Sequence, residues 1–280
     1  MLNSSPPSSN PELAGSLFAP DAVLAFQRDG YAIVRGLADA ATCDLMREVT
    51  RRGLTEDPGP AEFEADVHYP GSPPSRDAEG GLTVRRLKEA LARHPIFTQW
   101  LASRSVSGRI QQLLGPQVVV PLAHHNCIMT KQPRFSSDTL WHQDVRYWSF
   151  LRPDLISVWL ALGRERPENG CLSVIPGTHI MSFRRDRLDD ALFLRPELPE
   201  NQPLIAQAVT AELDAGDVLF FHARTFHAAG RNRTTEPKFS VVFTFRAADN
   251  PPIPGSRSAA MPELLMPVHV GQAFQPDEMD

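Results

Sequence analysis

The sequence contains no long apolar run and no excess of basic residues. Its longest uncharged apolar stretch, residues 117–127, is interrupted by Pro121 and by histidines, and it falls well short of the ~20 residues that a membrane helix needs. We therefore expect no membrane span. The 28 Lys and Arg residues are scattered among 33 Asp and Glu residues, which leaves a net charge of −5, so nucleic acid is not an expected partner.

Cysteine is also scarce, with only three in 280 residues. Cys43, Cys127 and Cys171 are odd in number, far apart and set among apolar neighbours, which is typical of small buried residues and not of a disulfide framework. This favours a reducing, cytoplasmic location. Residues 1–15 lack both the basic segment and the apolar segment of a secretory signal, and no Arg precedes Arg28 as a mitochondrial presequence would require.

Proline is abundant, with 26 residues, and much of it lies at the two ends and in one insert. We expect a disordered leader over 1–20, a single domain over 21–250 and a Pro-rich tail over 251–280. A chain of this length can bury a core without disulfides or structural metal. The insert at 57–81 is rich in Pro, Gly and acid. Segments of this kind are usually lids or disordered, and we expect a lid over a pocket.

The hydrophobic periodicity changes from helical to strand-like near the middle of the chain. We predict helices over 21–28, 40–54, 85–92 and 96–114, with a strand at 31–34 and a cap for the second helix at Asp39 or Thr42. The strands predicted after Gly115-Pro116 are 118–130, 141–147, 155–162, 171–175, 207–212, 217–222, 225–228 and 239–246. This order is typical of a β-sandwich or barrel with helices on one face.

A possible metal site begins at Trp141-His142-Gln143-Asp144. In an extended segment alternate side chains share a face, so His142 and Asp144 point to the same side. Either His222 or His227, near the end of a later strand, could supply a third ligand. Two His and one carboxylate form the facial triad of non-haem Fe(II) oxygenases. An isolated H-x-D also occurs in strands that merely hold a salt-bridged histidine.

Several motifs occur together in this sequence in a fixed order. They are QRDGY at 27–31, WHQDVRYW at 141–148, SVWLALGRERPENGCLSVIPGTH at 157–179, GDVLFFHARTFHAAGRNRT at 216–234 and VVFTFRA at 241–247. With these motifs the chain, over residues 22–248, resembles the phytanoyl-CoA dioxygenase family of Fe(II)- and 2-oxoglutarate-dependent oxygenases. The resemblance implies a mainly β fold with flanking helices, the double-stranded β-helix, which is a cupin-like jelly-roll barrel.

The resemblance also implies the iron ligands and the cosubstrates. His142 and Asp144 match the family's H-x-D pair, and His227 matches its distal ligand because it precedes the A-A-G-x-N-R turn. His222 then has a supporting role. The implied cofactors are Fe(II), 2-oxoglutarate and O2.

Further residues are expected to hold 2-oxoglutarate, whose distal carboxylate needs a cation. Eleven residues past His227 the family usually places an arginine, and this chain has Lys238, which can pair with a carboxylate as a point charge. Arg233 or Arg246 are the alternatives. The other candidate cosubstrate residues are Ser240 on the same strand face, Trp159, which could instead be a core residue, and His125 and Met129 on the strand before the H-x-D.

The reaction implied by the resemblance couples decarboxylation of 2-oxoglutarate, to succinate and carbon dioxide, with hydroxylation of an aliphatic C–H bond. Desaturation, cyclisation and epimerisation use the same iron centre and remain open. Asp144 makes halogenation an unexpected outcome, because related halogenases lack this carboxylate. A cupin-like metal- or ligand-binding module without oxygenase activity is the alternative from another class.

The substrate is expected to be a small molecule. Arg146 and the neighbouring Tyr147 are candidates for binding it, because Arg146 has the same strand parity as the ligands. Further arginines at 184, 185 and 187 suggest an anionic substrate, although surface arginines are common.

Overall fold

The computed structural model describes residues 17–269, and the expected leader residues 1–16 and tail residues 270–280 lie outside it. The helices are α1 Pro20–Asp29, α2 Ala40–Thr55, α3 Ala90–Arg93, α4 Pro95–Ala102, α5 Arg104–Leu114 and α6 Gln202–Ile205. None of these described helices is long and apolar enough to cross a membrane.

Ten of the thirteen described strands follow α5. The strands are β1 Tyr31–Val34, β2 Ala61–Phe63, β3 Val84–Lys88, β4 Val118–Pro121, β5 Asn126–Lys131, β6 Thr139–His142, β7 Leu155–Ala161, β8 Leu172–Val174, β9 Val209–Thr210, β10 Val218–His222, β11 His227–Ala229, β12 Lys238–Ala247 and β13 Glu263–Leu265. A large sheet has the order β1-β10-β7-β12-β5-β3-β2, with β4 paired to β12 and β13 to β4. A small sheet has the order β6-β11-β8-β9. The predicted mainly β jelly roll with flanking helices is confirmed.

The longest strand, β12, shows how the sequence builds two layers of core. Its apolar side chains Phe239, Val241, Phe243 and Phe245 pack into the cluster between the large sheet and the helices. Its other face carries Lys238, Ser240, Val242 and Thr244, and Val242 joins a second apolar cluster formed by residues of both sheets. All ten residues of β12 are buried because both faces of this strand are covered.

Local signals explain the ends of the first two helices. Asp39 accepts a hydrogen bond from the Thr42 amide at 2.7 Å, so Asp39 is the cap of α2. Gly30 ends α1 with φ at 78°, a left-handed conformation that suits glycine. A Cβ at Gly30 would lie 2.4 Å from His179 Nδ1, so the chain also needs glycine here for space.

Two helix predictions are only partly right. Of the helix predicted over 85–92, only the end is helical, as α3 Ala90–Arg93. Residues 84–88 form β3, which pairs with β2 and β5, because sheet pairing outweighs a helix-like spacing of apolar residues. The helix expected over 96–114 is divided into α4 and α5 at Ser103. The strand expected over 141–147 stops at His142, and Asp144–Tyr147 is a 3-10 helix.

The packed domain extends beyond the boundary expected at residue 250. β13 pairs with β4, and Met266 is buried in the main core, since this segment covers the edge of the large sheet. The insert at 57–81 contributes β2 and the 3-10 helix Glu64–Asp66.

Candidate iron centre

Three buried side chains converge where the small sheet ends. His142 is the last residue of β6 and His227 the first of β11, and these two residues are paired in register. Asp144 starts the following 3-10 helix, which turns its carboxylate back toward the two imidazoles. One ligand atom from each residue lies within 4.8 Å of the other two, a spacing suited to a single metal ion.

Backbone carbonyls fix the orientation of both imidazoles. His142 Nδ1 lies 2.8 Å from the Leu140 carbonyl oxygen, and His227 Nδ1 lies 3.0 Å from that of Thr225. A carbonyl can only accept, so each Nδ1 carries the proton and each Nε2 has a free lone pair. The two Nε2 atoms lie 3.9 and 3.6 Å from Asp144 Oδ1, so all three donors face one point.

The electrostatics favour a neutral His142 imidazole beside a charged Asp144 carboxylate. Burial, followed by the proximity of His227, lowers the pKa of His142 well below its usual range. Burial alone would raise the pKa of Asp144, but His125, His227 and His142 together with the Ser157 hydroxyl hold it below its ordinary value. Two imidazoles and one carboxylate on one face are the donor set of non-haem Fe(II), with open positions for further ligands. The residues therefore fit Fe(II).

His222 lies outside this cluster. Its Nδ1 accepts a hydrogen bond from the Arg224 amide at 3.1 Å, and its Nε2 lies 3.6 Å from Asp154. Its ring centroid lies 5.4 Å from that of His179, with the two rings tilted, and burial lowers the pKa of His222 to about 4. Of the two candidate distal histidines, the structure brings His227 to the other ligands.

Lys238, Ser240 and Trp159, all expected to hold 2-oxoglutarate, lie together around Glu165, a residue that no sequence pattern pointed to. Lys238 Nζ lies 3.1 Å from Glu165 Oε2. Ser240 Oγ and Trp159 Nε1 also donate to the Glu165 carboxylate. Glu165 is fully buried, although two arginines flank it in a turn-like segment that resembles exposed surface.

Neither alternative cation lies at this group. Arg246 forms an ion pair with Glu263 on β13, and Arg233 is exposed. Lys238 is therefore the cation of this group that faces the barrel interior.

The segment before the H-x-D also contributes to the interior, through His125, which immediately precedes β5, and Met129 on β5. His125 Nε2 lies 3.7 Å from Asp144 Oδ1, while Met129 is in register with Ser240 on one side. On its other side Met129 is in register with Arg86, whose Nε lies 3.0 Å from Glu62. A helix over 85–92 does not predict that Arg86 faces this interior. The alternation of side chains along β3 does predict it.

The side chains beyond the metal cluster form an aromatic group around one cation. The Arg146 guanidinium stacks 3.6 Å from the Phe193 ring and 4.2 Å from that of Tyr147. Phe193 also contacts the His142 ring, with centroids 5.8 Å apart. Tyr69, from the 57–81 insert, contacts Phe193 and lies 3.2 Å from the Tyr147 hydroxyl. The insert therefore reaches this group, which we call the aromatic cluster: Tyr69, Arg146, Tyr147 and Phe193.

The other arginines suspected of binding an anion are not placed at this cluster. Arg184 pairs with Asp186 and Glu200, and Arg185 pairs with Asp190. Arg187 bonds to Asn201. These side chains stabilise their own segment.

Comparisons with known proteins agree with this geometry. The family model described as Phytanoyl-CoA dioxygenase (PhyH) matches residues 26–240. An ectoine dioxygenase from Streptomyces coelicolor is 26% identical over 274 residues, covering 91% of this chain and 87% of that protein.

Two solved structures have the same fold. The non-heme alpha ketoglutarate dependent carbocyclase SnoK from nogalamycin biosynthesis has a TM-score of 0.68 at 21% identity, covering 89% of this chain and 97% of its own. The alpha ketoglutarate dependent epimerase SnoN from the same biosynthesis has a TM-score of 0.65 at 24% identity, covering 81% and 82%.

Proposed function

Because the chain belongs to the phytanoyl-CoA dioxygenase family of Fe(II)- and 2-oxoglutarate-dependent dioxygenases, we propose that it hydroxylates an aliphatic C–H bond of a small-molecule metabolite. The observation that carries the proposal is the buried cluster of His142, Asp144 and His227, with both free Nε2 atoms and the carboxylate facing one point. When bound, iron with 2-oxoglutarate and O2 supplies the oxidising power, and succinate and carbon dioxide are the coproducts.

The residues of the chain have separate tasks in this proposal. His142, Asp144 and His227 hold the iron, and Ser157 orients the Asp144 carboxylate through a hydrogen bond of 3.2 Å. Lys238, with Ser240, Trp159, His125 and Met129, forms the cosubstrate end of the interior. The apolar cluster contributed by both sheets excludes water from the space between.

Alanine variants test the iron ligands. Replacing His142, Asp144 or His227 should abolish Fe(II) binding and turnover while the protein remains folded, because the barrel has its own core. His222→Ala is the matched control and should retain iron. If His222→Ala lost iron and His227→Ala kept it, the assignment of the distal ligand would be wrong.

The reaction outcome needs a product measurement, because one relative in fold is a carbocyclase and another an epimerase. We expect mass spectrometry of a metabolite extract to show a product that gains one oxygen atom only with Fe(II) and 2-oxoglutarate. A product that loses two hydrogens would indicate desaturation or cyclisation, and one of unchanged mass would indicate epimerisation.

We further propose that the substrate is anionic and that Arg146 binds it, with Tyr147 beside it. Arg146 lies in the aromatic cluster, one ring away from the iron ligand His142, where a guanidinium can pair with a carboxylate or phosphate. If the extract is fractionated on an anion exchanger, the substrate should be in the retained fraction. Arg146→Gln should raise its KM, whereas Arg184→Gln, at an exposed arginine, should not.

A cytoplasmic location is also part of the proposal. Cys43, Cys127 and Cys171 are free and buried in the structure, and burial raises the pKa of Cys127 to about 11, which makes this thiol unreactive. Alkylation under denaturing conditions should find all three thiols reduced in protein taken from cells.

A further inference from the structure

The Glu165 carboxylate has the surroundings of a ligand in a binding site. Glu165 lies shortly after β7, and its side chain is fully buried. Its backbone amide donates to the Leu213 carbonyl at 2.8 Å, and its carbonyl accepts from the Leu213 amide at 3.1 Å. Lys238 Nζ lies 3.1 Å away, and Trp159 Nε1 lies 3.1 and 3.3 Å from the two carboxylate oxygens. Ser240 supplies a fourth hydrogen bond at 2.5 Å.

These donors are the same groups that we assign to the distal carboxylate of 2-oxoglutarate. Lys238 carries one positive charge and Glu165 already balances it. A second carboxylate held at the same ammonium would be a buried charge without its own partner, which is strongly unfavourable. Glu165 and the cosubstrate carboxylate therefore compete for one place.

Two neighbouring interior cations, Lys131 and Arg86, already have an acceptor or a counter-charge close by. Lys131 is in register with Lys238, but its Nζ donates to the carbonyls of Ser137 and Gly230 at 2.8 and 2.5 Å. Arg86 lies beside Glu62, with Nε 3.0 Å from its carboxylate. A carboxylate that binds at Lys238 must then displace Glu165.

We propose that Glu165 is an internal competitor of 2-oxoglutarate, which has to release Lys238 before the distal carboxylate can bind there. The inference rests on the proposed function, because it takes Lys238 as the cosubstrate cation. Since the backbone of Glu165 is held by Leu213, the release is a rotation of the side chain alone. As a consequence, a distal carboxylate adds little to the affinity of a 2-oxo acid for this site, and the site also binds 2-oxo acids that lack one.

The test compares 2-oxoglutarate with 2-oxopentanoate, which has the same five carbons without the distal carboxylate. Both are titrated anaerobically into Fe(II)-loaded protein, with the visible charge-transfer band as the signal. The affinity ratio is the Kd for 2-oxopentanoate divided by the Kd for 2-oxoglutarate. A carboxylate paired with a free buried cation would give a ratio of roughly 30 to several thousand, and we expect a ratio below ~10 in the wild type.

Glu165→Gln removes the competing charge and should raise the affinity ratio at least tenfold (~1.4 kcal/mol) by tightening 2-oxoglutarate. A mere structural partner of Lys238 would not produce this selective change. Glu64→Gln is the matched control, because Glu64 is also a fully buried carboxylate paired with a cation, Arg85, and it should leave the ratio unchanged. A smaller rise, no change or a fall in Glu165→Gln would overturn the inference.

Two further measurements keep the test decisive. If Glu165→Gln does not fold, Glu165→Ala removes the same competing charge, and the same tenfold criterion applies. If the wild type binds iron but shows no band with either acid, the proposed function fails, and the competition is then judged without metal. Glutarate should raise the Tm of metal-free Glu165→Gln but not that of the wild type; equal shifts in both would overturn the inference.

Discussion

Ser157 provides a quantitative test of how the iron site is held in place. Its hydroxyl is fully buried on β7 and donates to Asp144 Oδ2 at 3.2 Å. A hydrogen bond to a charged group contributes about 1.5–3 kcal/mol, and each ~1.4 kcal/mol is tenfold in affinity. Ser157→Ala should therefore weaken Fe(II) binding by about 10- to 100-fold, the usual range for a residue that orients a metal ligand.

The assay is an anaerobic competition between the protein and a chromophoric chelator for Fe(II), with Tm measured in parallel. Ser107→Ala is the matched control, because Ser107 is equally buried and donates to the Ser103 carbonyl within α5, away from the iron ligands. It should leave iron affinity unchanged. If Ser157→Ala bound iron within threefold of the wild type, the Asp144 carboxylate would not depend on this hydroxyl, and the reasoning would be refuted.

Three other predictions concern the insert, a buried lysine and a glycine. Limited proteolysis should cut the 57–81 insert first, and substrate with 2-oxoglutarate should slow the cut; equal cleavage in both states would indicate a plain surface loop. Burial, with Arg85 and Lys238 nearby, lowers the pKa of Lys131 from 10.5 to about 7. The unfolded chain then holds more protons between these values, so this group makes stability rise with pH there, by up to ~1.4 kcal/mol per unit. Urea unfolding of Lys131→Met should show a flatter rise; an unaltered slope would contradict this. Gly30→Ala should lower the free energy of unfolding by roughly 1–3 kcal/mol, whereas Gly163→Ala, with open space at its Cβ, should have a smaller effect.

Sequence patterns predict the structure correctly where it depends on residues close together in the chain. β1 has the predicted bounds, Asp39 caps α2 as one of two candidates, and the alternation along β12 separates its polar face from its apolar face. The H-x-D spacing also placed His142 and Asp144 side by side, although the strand ends between them and a 3-10 turn brings the carboxylate round.

Features that depend on distant partners could not be predicted in this way. Residues 84–88 have the spacing of a helix, and only pairing with β2 and β5 makes them a strand. The burial of Glu165 depends on Lys238 and Ser240, more than seventy residues later in the chain. No local pattern shows that an acid between two arginines turns inward.

The pairing of β12 with three other strands limits both the local opening of this strand and the positions where substitutions are tolerated. Its amides pair with β4, β5 and β7, so their hydrogen exchange should require opening of the whole domain. The strand that carries Lys238 and Ser240 is then as rigid as the core itself, and ligands have to enter through the loops. Substitutions in the exposed parts of those loops, such as around Tyr69, would alter the choice of substrate during evolution with little loss of stability.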